Sequence, residues 1–74
     1  MGFDYSKLKG RIIEVYGSQQ RFAIAMGLSE RSMSLKMQNK VGWKQPEINK
    51  ACALLEIDIN ELHEYFFKLK VQGV

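Results

Sequence analysis

Apolar residues recur along this chain at helical spacing. Leu8, Ile12 and Val15 stand at i, i+4 and i+7 and predict an amphipathic helix that starts near Ser6 and stops at Gly17. Ser18 is placed to cap a second helix, because its hydroxyl can accept a backbone N–H of the next turn, and Phe22, Ala23 and Met26 form that helix's inward face up to Gly27. Leu28 and a second capping serine, Ser29, lead into a third helix from Glu30 to Gln38. A link of about three residues containing a glycine forces helices two and three to cross steeply. Asn39 to Trp43 reads as a loop. Pro46 suits the first turn of a fourth helix, which buries Ile48, Ala51, Cys52 and Leu55. Asn60 is the expected cap of a fifth, with Leu62, Tyr65 and Phe66 inward.

The tail, residues 67–74, departs from this period. Phe67-Lys68-Leu69-Lys70-Val71-Gln72 alternates apolar and polar, which predicts a short extended segment. Such a segment needs a partner: either the same stretch of a second subunit, making a homodimer, or none, leaving a frayed end. The fold class is therefore all-α, a compact five-helix domain over residues 1–74 with a helix-turn-helix at about 18–38.

The length limits the function. A chain of 74 residues builds one small core and has little room for a deep cavity with supporting shells, so a recognition surface is the expected functional feature. The single cysteine, Cys52, reads as a small core residue, and the single histidine, His63, as a surface or rim residue without a second ligand for a metal. No nucleophile, base and orienting group are assembled, and no phosphate-cradling glycine loop is present, so neither an enzyme nor a cofactor is expected. Without a secretion signal, a disulfide pair or an 18-residue apolar run, the expected location is the cytoplasm, away from membranes.

Charge adds an asymmetry. Eight basic residues face three acidic ones up to Lys44, a balance of +5, and three face five beyond it, a balance of −2. A polyanion meeting the N-terminal half is the natural partner. On helix three, Met33 and Met37 fall on one side and Arg31, Ser34, Leu35 and Gln38 on the other. That outer set suits a DNA major groove: a guanidinium for guanine, an amide and a hydroxyl for base or phosphate, and a leucine for a thymine methyl. Glu30 can accept from a cytosine amine. Gln19, Lys40 and Lys44 complete a phosphate clamp, with Lys36 snorkelling toward phosphate or water and Trp43 plugging the loop against the core.

The run Gly17-Ser18-Gln19-Gln20-Arg21-Phe22-Ala23-Ile24-Ala25-Met26-Gly27-Leu28-Ser29-Glu30-Arg31-Ser32-Met33 resembles the repressor and Cro type of helix-turn-helix. With Phe3-Asp4-Tyr5-Ser6-Lys7-Leu8, Trp43-Lys44-Gln45 and Glu64-Tyr65-Phe66-Phe67, the chain is similar to small Cro-like regulators from temperate phages of Gram-positive bacteria, a group that includes modulators of repression. The resemblance implies that Ala23 packs in the helix crossing, that Gly27 makes the turn, and that Gln19, Glu30, Arg31, Ser32 and Leu35 face double-stranded operator DNA. Two positions depart from the commoner pattern: Leu35 replaces a polar base reader, and Lys36 an apolar core residue. An exposed leucine beside an arginine is also a protein-binding patch. The resemblance to modulators of repression implies an alternative partner, a phage repressor bound through helix three, with Glu30, Arg31 and Leu35 as a mixed-charge interface; Gln19, Ser29, Ser32, Ser34, Gln38, Lys40 and Lys44 complete the candidate DNA or partner contacts.

Overall fold

The computed structural model describes residues 2–70 and contains five α-helices: α1 Ser6–Tyr16, α2 Gln19–Met26, α3 Glu30–Met37, α4 Gln45–Leu55 and α5 Leu62–Phe66. The all-α expectation holds. None of these helices is long and apolar enough to cross a membrane.

Both predicted serine caps form: Ser18 accepts the Arg21 N–H and Ser29 accepts the Ser32 N–H. In α4, Pro46 lies in the first turn and Glu47 accepts the Lys44 N–H at 2.8 Å. Three helices end in one device, a left-handed residue followed by a long backward hydrogen bond. After α2, Gly27 (φ 75°) is left-handed and the Leu28 N–H reaches the Ala23 carbonyl. After α3, Asn39 (φ 63°) precedes Lys40, whose N–H reaches Leu35. After α4, Glu56 (φ 54°) precedes Ile57, whose N–H reaches Cys52. The device turns the chain sharply without leaving terminal carbonyls unpaired.

Leu8, Ile12, Phe22, Met33, Ala51, Leu55 and Phe66 form the centre of one core. Ala23 is buried, as expected, and Cys52 is half-buried against the same core. Val15 departs from the expected stripe: it is exposed, and Tyr16 takes its place by packing on Phe22 with ring centroids 5.4 Å apart. The predicted cap of the fifth helix also shifts. Asp58, not Asn60, caps a 3₁₀ turn at Ile59–Glu61 by accepting the Asn60 N–H, and α5 follows that turn.

The tail pairs within the chain. Phe3 and Leu69 form an antiparallel bridge, in which the Asp4 N–H donates to Lys68 and the Lys70 N–H to Gly2. Neither sequence expectation, pairing with a second subunit or fraying, describes residues 67–70; Val71 to Val74 lie outside the described residues. On its other side Phe3 is gripped by Asn39, whose Oδ1 accepts the Phe3 N–H and whose Nδ2 donates to the Phe3 carbonyl, both at 2.8 Å. A Cβ on Gly2 would lie 2.8 Å from the Asn39 Cγ, so glycine is required at that close approach. The end of α3 is thereby tied to the N-terminal segment and, through it, to the tail.

Candidate interaction face of the third helix

The turn at Gly27 sets α3 against α2 and leaves its far side open. Met33 is fully buried and Met37 half-buried, as their helical phase requires. Glu30, Arg31 and Gln38 are exposed, whereas Ser32, Ser34 and Leu35 are half-buried. Exposed Ser29 and half-buried Ser32 are engaged at the helix start, where the Ser29 hydroxyl both accepts the Ser32 N–H and donates to the Ser32 Oγ, each at 3.0 Å. The Gln19 side-chain amide donates to the Ser34 Oγ at 3.2 Å, so these two bridge α2 and α3.

Lys36 overturns its sequence expectation. It reaches neither phosphate nor water: the residue is 4% exposed, and its Nζ donates to the Glu47 Oε1 at 2.8 Å and to the Gly42 carbonyl at 3.2 Å. The ammonium also lies 5.9 Å from the centroid of the Trp43 ring. Burial opposes ionisation of Glu47, but the Lys36 ammonium and the Lys44 N–H together outweigh it and hold the carboxyl below its ordinary value. One buried cation thus ties α3, the following loop and the start of α4. Sequence alone missed the pair because Glu47 lies eleven positions away, beyond any local spacing rule.

Trp43 plugs the loop into the core. Its ring meets Phe66 edge-on at 5.1 Å and Tyr5 at 6.5 Å, and its Nε1 is buried, out of reach of a nucleic-acid backbone. Lys40 and Lys44 project from either end of this anchored loop and are exposed. His63 is exposed on α5, beside Phe67.

Six of the ten expected site residues divide between two hollows that flank α3. Gln19, Ser34 and Gln38 line a cleft of about 340 Å³ against the N-terminal segment, together with Lys9 and Lys70. Ser32, Leu35 and Lys44 line a second hollow of about 230 Å³ with Leu28, Val41, Lys36 and Glu47. Ser29, Glu30, Arg31 and Lys40 line neither hollow. Lys9, Lys70, Leu28 and Val41 were not anticipated in these positions. Val41 did carry a signal, being the one apolar residue in the run Asn39-Lys40-Val41-Gly42. Lys9 and Lys70 carried none: Lys9 reaches the cleft from α1, and Lys70 through the bridge between Phe3 and Leu69.

A family model described as a protein of unknown function, DUF739, matches residues 1–69. Among solved structures, the chain is similar to the solution structure of the modulator of repression (MOR) of the temperate bacteriophage TP901-1 from Lactococcus lactis. The two share 53% identity with a TM-score of 0.82, and the match covers 97% of each chain. No curated protein matches it.

Proposed function

The chain belongs to the DUF739 family, and from that premise we propose that it is a modulator of repression, a small phage regulator that binds a partner repressor through the outer face of α3 and alters the repressor's grip on operators. The carrying observation is the likeness to the TP901-1 modulator, which extends over almost the whole of both chains at 53% identity.

The face itself supports a protein partner. Arg31 and Glu30 stand exposed beside half-exposed Leu35, and an arginine next to an apolar anchor is the composition of an interface centre. Several residues that DNA docking would call on are already bonded within the chain. Gln19 and Ser34 hold each other, Ser29 and Ser32 cap the helix, and Lys36 is paired with Glu47. Arg31 and Gln38 remain to read bases, and Lys40 and Lys44 to meet phosphates.

Operator binding by the chain alone is the second reading, and the +5 balance of the N-terminal half favours it. A titration of the purified chain against the repressor encoded in the same phage genome, and separately against operator DNA over a range of salt, separates the two. The proposed reading expects a defined complex with repressor, and weak DNA binding whose steep salt dependence reflects charge alone. Tight, sequence-selective operator binding without any repressor complex would replace it with a Cro-like role.

A further inference from the structure

The hollow on the C-terminal flank of α3 gathers apolar residues that the fold leaves only partly covered. Leu28 leaves the α2 turn, Leu35 lies on α3, and Val41 comes from the loop, where it remains 43% exposed. Val41 is held in this place by the backbone. The Leu35 carbonyl accepts both the Lys40 N–H (2.9 Å) and the Val41 N–H (3.2 Å), folding the loop back over the end of its own helix. The ion pair of Lys36 with Glu47 also borders the hollow, so the charges nearest its apolar residues cancel each other.

At the mouth, Lys44 is exposed, and no carboxylate of the described residues pairs with its ammonium; Glu47 takes only its backbone N–H. Lys40, next to Val41, is exposed as well. An apolar recess beside unpaired cations complements an apolar side chain that has a carboxylate as its neighbour. A nucleic-acid phosphate fits the lysines but leaves the leucines and the valine uncovered.

We propose that this hollow is a socket for one apolar side chain of the partner repressor, carried beside an aspartate or glutamate that meets Lys44. The inference rests on the modulator reading above and deepens it, naming the contact that accompanies Arg31 and Leu35. The Lys36–Glu47 pair positions the socket, because it fixes the loop against α3 and α4.

Calorimetric titration of the purified chain with the repressor of the same phage tests this. Val41→Asp and Lys44→Glu should each weaken binding at least tenfold, while Ile24→Asp, at a 72% exposed site on α2 outside the hollow, should stay within twofold. All three side chains are exposed, so thermal melts should remain within a few degrees of the unsubstituted chain; should Val41→Asp shift its melt further, Val41→Ser replaces it. As a second readout, the methyl resonances of Leu28, Leu35 and Val41 should move on addition of unlabelled repressor. If the unsubstituted chain binds repressor and both socket variants bind within twofold of it, the socket is overturned and the modulator reading stands. If the unsubstituted chain binds no repressor, both fall.

Discussion

Lys36 shows how a single side chain acts in two directions at once. Its position on α3 would suit a hydrophobic residue, and its 4% exposure means that the charge is stable there only with its partners in place. Lys36→Met should therefore cost about 3 kcal/mol in chemical denaturation, because it leaves the Glu47 carboxylate without its counter-charge. The double variant Lys36→Met with Glu47→Gln should regain most of that loss, since glutamine still accepts the Lys44 N–H and no charge is left unpaired. A double variant no better than the single one would show that the pair is not the interaction being lost. The same carboxylate gives the fold an acid limit. Glu47 titrates below its ordinary value, because Lys36 and the Lys44 N–H outweigh burial, and so do Glu64, through its bond to Lys7, and Asp4, through its bonds to Ser6. Groups depressed in this way stabilise the fold above their unfolded values and lose that contribution as pH falls through the folded ones. Thermal melts should be level above about pH 5 and decline below it. Glu47→Gln should start lower and decline less steeply.

At the level of elements, what stops each helix governs where the next one goes. The residue just past α3 is Asn39, left-handed and doubly bonded to Phe3, so it serves both as helix stop and as a stand-in for a neighbouring strand. Asn39→Gly keeps the conformation and loses the two bonds, at a cost of about 2 kcal/mol. Asn39→Ala loses the bonds and also strains the backbone, and should cost about 1 kcal/mol more. Equal losses in urea melts would mean that the positive φ is not under strain. Glu56 occupies the equivalent place after α4 with φ 54°, and among the described residues no hydrogen bond of its side chain compensates. Glu56→Gly should therefore raise stability, by up to about 1 kcal/mol. A fall in the melting temperature would contradict the strain assigned to that turn.

Over the whole molecule, the two ends meet beside α3. The bridge of Phe3 to Leu69 and the Asn39 clamp bring Lys70 to the cleft that Gln19, Ser34 and Gln38 line, and Lys9 joins it from α1. Of the expected clamp residues, Lys44 lines the apolar hollow on the opposite flank and Lys40 is exposed beside Val41. Cations thus rim α3 on both sides. Rim charges of this kind steer encounter more than they hold a complex. On the proposed modulator reading, Lys40→Ala should slow association with a partner repressor several-fold at low salt and leave dissociation nearly unchanged, as read by surface plasmon resonance. A faster dissociation with unaltered association would place Lys40 inside the buried interface.

The order of helices, their capping serines, the glycine turn and the buried faces of α2 and α4 were legible in the chain itself, because each depends on residues within one or two turns of each other. The exposed positions of Arg31 and Gln38 followed from the phase of α3 for the same reason, whereas Ser34 and Leu35, assigned to the same side, are half-buried. Contacts between distant residues were decided only by the packed fold. Local rules favoured Val15 over Tyr16 on the inward face of α1 and Asn60 over Asp58 as the final cap, and the packed neighbours chose otherwise. The partner of the alternating tail was the segment around Phe3, more than sixty residues away, and that of Lys36 was Glu47, eleven away. Helical periodicity records which side of an element turns inward; which distant residue meets it there depends on three-dimensional closure, which no local spacing encodes.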